Sequence, residues 1–372
     1  MVILFNTYRS PKSGINFYLP GWIGSILSFL CLASCLWLGG CTQQDATKVP
    51  TLTKLSGNAL GTTWMVQVLT DQTFEKVKLQ KDIVQNLEAA DKIFSHWRSD
   101  SELFQFNANQ SSNDMVIHPQ LHGLLKHAQW MHRETAGLLD PTLGPLVNLW
   151  GFGPQGNSRS TIPTEQQITK MRKITGMENL EMLPKGRVRK KIPALQLDLS
   201  ASAKGEIIDQ ICDLLERLNF ENYLVEIGGE VRANGKGRGG KGWIVGLENG
   251  GSRKDIIVSV PLRNYAVATS GTYRIKKTNP KSHRSASHLL SPKTGSPIEH
   301  NLIAVNAFAP TARDADAWAT ALMVMGLQEG MKKAEEMNLV ARFCKEVNGE
   351  IEFHYSTAYQ RLFPAKKIYN SI

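Results

Sequence analysis

Apolar positions along the chain change period several times, and each change predicts an element. β-Branched and apolar residues from Thr63 to Leu69 predict a strand. From Phe74 to Trp97 the apolar residues return at helical spacing (Val77, Ile83, Val84, Leu87, Ile93, Phe94), which predicts a long helix. Further helices are expected over Pro119 to Thr135, from Thr164, over Ser202 to Leu218 (Ile207, Ile208, Ile211, Leu214, Leu215) and from Arg313 to Gly326. Residues 222–269 instead alternate short β-rich runs with glycine-rich turns such as Gly237-Arg238-Gly239-Gly240, the pattern of an antiparallel meander. Helices and strands follow no repeated unit, so the expected class is α+β, mixed helices with antiparallel sheet, open to division into two subdomains.

The first forty residues stand apart from this pattern. Arg9 and Lys12 precede an apolar stretch from Trp22 to Leu38, and Leu38-Gly39-Gly40-Cys41 then resembles a lipobox, so residues 1–40 read as a lipoprotein signal peptide. Cys41 is the expected lipidated N-terminus, with residues 41–56 as its tether, 57–356 as the folded domain and 357–372 as a C-terminal tail. An uncleaved membrane anchor is the alternative, since the apolar stretch is almost long enough to span. Either way the body is expected in the cell envelope, facing the periplasm.

Composition narrows the classes. The 372 residues are 42% apolar and 20% charged, which is ordinary for a globular chain and excludes a disordered one. Of five cysteines only Cys212 and Cys344 remain beyond the signal and the lipidation site, which excludes a disulfide framework. The net charge of +10 falls to +8 without Arg9 and Lys12 and is spread along the chain, so no nucleic-acid partner is expected.

Several segments could carry chemistry. Asp316 and Thr320, four apart in Asp314-Ala-Asp316-Ala-Trp-Ala319-Thr320, would share one face of a helix and offer two hard oxygens to Mg2+. Asp314 and Asp316 would equally suit a helix N-terminus. Asp198-Leu-Ser200-Ala201-Ser202-Ala203-Lys204 leads from a strand into a helix whose first amides could face an anion, or could be capped by Asp198 or Ser200 with Lys204 solvated. The loop Leu139-Asp140-Pro141 through Trp150-Gly151-Phe152-Gly153 is rich in turn residues and aromatics that could wall a flat ring, or could simply pack. Glycine-bearing turns at Gly228-Gly229, Thr269 to Arg274 and Ser287 to Gly295 are either ordinary turns or places where backbone approaches a ligand. His288 in the last of these is either a packed side chain or a general base.

In order, GTTW, the S-x-W-x-x-x-S-E-L stretch at 95–103, LDPTLGPLVNLWGFG, LDLSASAKG, VEIGGEVRANG, ATSGTYR, SHLLSPKTG and DADAWATAL resemble the ApbE-like flavin transferase family, the FAD:protein FMN transferases, from Leu60 to Gly326. The resemblance implies that FAD binds in an elongated cleft between the subdomains, with Mg2+ at its pyrophosphate. A threonine or serine hydroxyl of an acceptor flavoprotein then attacks the FMN phosphorus and releases AMP. By position, Asp316 and Thr320 are the implied metal side chains, joined by backbone oxygens of Ala201 and Ala319. Leu60, Trp97, Leu138, Leu139, Asp140, Asp198, Lys204 and Leu290 fall where the family contacts FAD, and His288 matches the family's histidine, a base for the acceptor hydroxyl. The implied partners are flavoprotein subunits of membrane redox complexes. One departure is plain: where the family has H-x-x-D-P, this chain has Ser291. The competing functions are FAD pyrophosphatase activity and flavin binding without catalysis.

Overall fold

The first strand begins inside the segment expected to be a tether. In the computed structural model, which describes residues 49–156, 162–250, 258–272, 276–278, 285–364 and 369–370, β1 (Thr51–Ala59) pairs antiparallel with β2 (Thr62–Thr70) along its whole length. The expected tether boundary is therefore too late. β1 is an edge strand whose only fully buried side chain is Leu55, so its polar composition hides it. Trp64 lies over Gly57, where a Cβ would meet the indole at 2.9 Å. The signal segment and Cys41 lie outside the described residues.

After β2 come α1 (Lys76–Phe94), α2 (Glu102–Ala108), β3 (Met115–Val116), α3 (Pro119–Glu134), α4 (Gly144–Leu149) and α5 (Glu165–Arg172). Then follow β4 (Leu180–Leu183), β5 (Arg187–Lys190), α6 (Ala203–Arg217), β6 (Tyr223–Ile227) and β7 (Glu230–Asn234). Next are β8 (Trp243–Leu247), β9 (Val258–Leu262), β10 (Tyr265–Gly271), β11 (Lys276–Thr278), β12 (Ser285–Ser287) and β13 (Leu302–Ala309). The chain continues with α7 (Ala312–Glu336), β14 (Val340–Val347), β15 (Glu350–Tyr355), α8 (Thr357–Leu362) and β16 (Tyr369–Asn370).

The fold is α+β. Eight strands form one sheet in the order β1-β2-β6-β7-β10-β13-β14-β15, every neighbouring pair antiparallel. The meander expected over 222–269 is split: β6, β7 and β10 join this sheet, while β8 and β9 pair with each other and β9 with β16. The apolar side chains of β8 and β9 cover the opposite face of the sheet with Phe308, Val340, Tyr359 and Phe363. Residues 357–363 are therefore part of the core, through α8, and the tail expected from 357 is not one.

The other face carries the larger core, against which α1, α3, α6 and α7 lay their apolar stripes. The stripe of α6 is Ile207, Ile208, Ile211, Cys212 and Leu215. A small apolar cluster of Leu143, Leu146, Ile168 and Leu290 lies to the side. α4 lies within the segment expected to be loop. α7 outruns its expected end at Gly326, where the helix is broken by a residue at φ 78° and resumes to Glu336. At the break His300 Nε2 lies 2.8 Å from the Met323 carbonyl, which a continuous helix would have bonded internally.

The helix pair α6 and α7 is held by reciprocal capping. Asp209 of α6 accepts from the first amides of α7, Ala312 N at 2.9 Å and Arg313 N at 3.0 Å. Asp316 of α7 in turn accepts from Gly205 N in the first turn of α6 at 3.2 Å. Each carboxylate satisfies donors that its partner's N-terminus cannot satisfy internally. Gly205 sits at the crossing, where a Cβ would lie 2.6 Å from Arg313 Cα.

Candidate active site

Asp198 lines two hollows, one of which opens between the start of α6 and α7. The first is walled by α3 (His127, Ala128, Met131), the 139–141 loop, Leu199, Ala201 and Ser202, and Ala317 of α7. The second runs past His96, Phe104, Asn107, Gly144, Val147, Asn148, Gly153 and Gln196. The strand expected before Asp198 is only a single bridge, Gln196 to Leu143, and Asn107 fixes this segment by donating from Nδ2 to the Leu197 carbonyl (2.8 Å) and accepting from Leu197 N (2.7 Å). Gly144 is required by proximity, since a Cβ there would meet the Gln196 carbonyl oxygen at 2.8 Å.

The structure gathers Leu139, Asp140, Asp198 and Ala201 around the first hollow, with Leu138 buried beside them. Burial pushes the Asp140 carboxyl pKa up, against two donors from Thr142 (N at 2.8 Å, Oγ1 at 2.6 Å to Oδ1) that favour the charged form. Asp198 does not cap α6: its Oδ1 accepts from Ser200 N (2.8 Å) in a local turn, and the amide at the helix start is taken by Asp316. Ser200 is not the cap either, since Ser202 occupies that position without a side-chain bond. Lys204 is not a freely solvated charge, because its Nζ is 2.7 Å from the buried Glu230 carboxylate.

Asp316 is buried at 4% exposure, and Thr320 Oγ1, one turn on, lies 2.9 Å from Ser270 Oγ. Ala319 is buried between them, and Ala317 carries this turn to the wall of the first hollow. Among the described residues no three His, Cys, Asp or Glu side chains converge on a metal position. A cation at Asp316 would therefore take hydroxyl and carbonyl oxygens beside the one carboxylate. That donor set fits Mg2+ and disfavours zinc, which takes nitrogen and sulfur.

The remaining expected residues lie around this centre. Trp97 is 62% exposed, its ring 5.3 Å from that of His96 on the second hollow. His288 meets Phe152 edge-on at 6.4 Å, next to Gly153 of the same hollow. Leu290 belongs to the small apolar cluster with Leu143 and Leu146. The turn after it closes through backbone alone, Ser291 O accepting from Thr294 N and Gly295 N, so the serine does not disrupt it. Leu60 and Gly61 form the two-residue turn between β1 and β2, with φ of 55° and 70°. A leucine held there costs about 1 kcal/mol relative to glycine. Leu60, Lys204 and Leu290 do not line either hollow.

Sequence reasoning missed His127, whose Nε2 is 2.8 Å from Asp314 Oδ1. Burial works against the Asp314 carboxylate, but bonds from His127 and Thr311 outweigh it and hold its pKa below the ordinary aspartate range. The signal was present: His127 interrupts the buried stripe Leu121, Leu124, Leu125, Ala128, Met131 of α3. Asp209 was missed because a helical aspartate gives no sign that it caps a helix more than one hundred residues away.

Comparison with known proteins shows the family of the chain. Residues 60–343 match the ApbE family. An FAD:protein FMN transferase of Haemophilus influenzae is 34% identical over 350 residues, covering 92% of this chain and 99% of that protein. One of Vibrio cholerae is 37% identical over 308 residues, covering 82% and 90%. The solved structure of the flavin transferase ApbE from Vibrio cholerae superposes with a TM-score of 0.76 at 33% identity, covering 84% of this chain and 99% of that one. Strand order, the paired helices and the buried carboxylate of α7 thus occur in a chain that belongs to the ApbE family.

Proposed function

We propose that this protein transfers FMN from FAD to a threonine or serine hydroxyl of acceptor flavoproteins, forming a phosphoester and releasing AMP. The observation that carries the reading is the buried Asp316 of α7 with Thr320 one turn on, next to Ala317 on the wall of a cleft that also holds Asp140 and Asp198. Its relatives, FAD:protein FMN transferases by name, support the same reaction.

FAD is the substrate. Its pyrophosphate lies at the Asp316 and Thr320 end, and Asp140 and Asp198 accept hydrogen bonds from its polar edges. Trp97 offers an exposed ring face for stacking. Mg2+ held by Asp316, Thr320 and the Ala201 and Ala319 carbonyl oxygens would neutralise charge on the phosphates. His288, with Phe152 restraining its ring, takes the proton of the acceptor hydroxyl, since an alcohol is a poor nucleophile until that proton has a destination. Glu230 holds Lys204 at the start of α6.

The placement proposed for the protein is the periplasmic side of a bacterial membrane, anchored by lipid on Cys41, with flavoprotein subunits of membrane redox complexes as acceptors. The Leu38-Gly39-Gly40-Cys41 run after an apolar stretch supports it. Among the described residues no helix is long and apolar enough to cross a membrane.

The test incubates the purified chain with FAD, Mg2+ and a flavin-acceptor domain, then measures acceptor mass and AMP. A gain of one FMN on threonine or serine, lost on chelation, is the expected result. AMP without that gain would mean hydrolysis instead, and binding with neither product would mean flavin binding without catalysis.

A further inference from the structure

His127 lines the first hollow with one ring nitrogen committed and the other not. Its Nε2 is 2.8 Å from Asp314 Oδ1, and a carboxylate only accepts, so Nε2 carries the hydrogen. In the neutral ring this leaves a lone pair on Nδ1, which is buried and makes no hydrogen bond among the described residues. The ring is fixed from the side as well, with Trp130 at 5.6 Å between centroids and Trp130 edge-on to Trp318 at 6.2 Å.

Asp140, on the same hollow, has a similar imbalance. Its Oδ1 takes both Thr142 donors, while Oδ2 has only His132 Nδ1 at 4.0 Å, beyond hydrogen-bond range. The rest of the wall is largely apolar: Ala128, Met131, Leu139, Pro141, Leu199 and Ala317. The hollow therefore presents a largely apolar wall with spare acceptors, and buried acceptors require donors.

We propose that His127 is a specificity-determining residue, its Nδ1 accepting, together with Asp140 Oδ2, from the 6-amino group of the substrate's purine ring. This rests on the reading of FAD as substrate. Of FAD's two ring systems, the purine carries an exocyclic amine with two N–H donors. The isoalloxazine edge is mostly carbonyl oxygens and ring nitrogens with a single N–H, and would set acceptor against acceptor here. Asp314 acts through His127 as a positioning residue, fixing the tautomer.

The test titrates the full chain, in Mg2+ at pH 8, with AMP, inosine monophosphate and FMN. Inosine monophosphate replaces the amine by a carbonyl, and FMN carries only the flavin. The native chain should prefer AMP to inosine monophosphate by at least roughly tenfold, because a site built around a donor leaves its acceptors unpaired with the carbonyl. His127→Leu should reduce that preference to about threefold or less and leave FMN affinity unchanged, and His127→Gln, which keeps an acceptor, should restore most of it. A native chain that binds AMP and FMN without preferring AMP over inosine monophosphate would overturn the inference alone, and needs no variant. So would an unchanged preference in His127→Leu, or a loss of FMN rather than AMP affinity, which would put the flavin in this hollow. A native chain binding none of FAD, FMN or AMP would overturn the functional reading as well.

Discussion

Adding one methyl group at Gly205 separates two opposed expectations. Gly205 lies in the first turn of α6 with ordinary helical backbone, so on helix propensity alone Gly205→Ala should stabilise by about 1 kcal/mol. The crossing says otherwise. The new Cβ would lie 2.6 Å from Arg313 Cα and closer still to the Ala312 carbonyl oxygen, both backbone atoms that no rotamer change can move. Restoring carbon–carbon contact near 3.6 Å requires the helices to part by roughly 1 Å. Overpacking of this kind costs about 1–3 kcal/mol. The same shift stretches the 3.2 Å bond from Gly205 N to Asp316, whose loss adds about 1.5 kcal/mol for a bond to a charged group. After subtracting the propensity gain, Gly205→Ala should destabilise by about 2–3 kcal/mol, read as a lower urea midpoint at unchanged slope. Asp316 is displaced with its helix, so flavin transfer should fall roughly 10- to 100-fold at fixed Mg2+. A variant as stable as the native chain, or more so, would refute the reasoning, as would one that loses stability while keeping transfer within about twofold.

Asp209→Ala strips two α7 amides and the half-buried Arg232 (2.7 Å) of their acceptor and should cost about 3 kcal/mol by chemical denaturation. Asp316→Asn keeps an oxygen for Gly205 N but loses the anionic charge, so thermal unfolding should move little while Mg2+-dependent AMP release drops below detection. Burial pushes the Lys190 amine down to about 8, so between about pH 8 and its ordinary value of 10.5 the unfolded chain binds more protons than the fold. Stability from this residue therefore rises with pH across that window, and Lys190→Met should remove the rise in urea midpoints compared at pH 8 and pH 10. His300→Ala leaves the Met323 carbonyl at the α7 break without its partner and should lower stability by about 1 kcal/mol, measured by urea denaturation.

What the chain's pattern reveals depends on how far each determinant reaches along it. The helices over Pro119–Glu134 and Ala203–Arg217 are legible because their stripes and end residues are local. The strand at Thr51–Ala59 is not, because an edge strand with one buried side chain resembles a leash. The separation of β8 and β9 from β6, β7 and β10 is equally hidden, since alternation within a strand marks its two faces and not its sheet. At the candidate site, Asp316 and Thr320 are readable from spacing, and the structure does place both on one helix near the cleft. Lys204 looks available in sequence only because Glu230 lies 26 residues on, across a strand and a turn. His127 is the reverse case, a polar residue on an apolar stripe whose meaning depends on Asp314, 187 residues away.

The exchange of caps between α6 and α7 also bears on how the protein assembles. Neither helix start is satisfied alone, and the bonds that complete them join residues 103 to 111 positions apart. Closing so long a segment is slow relative to forming either helix, so the buried carboxylate takes its place late, after most of the chain is available. A growing chain would thus display α6 well before Asp316 could reach the start of that helix. The step that finishes the fold is therefore the same step that sets Asp316 beside the first turn of α6.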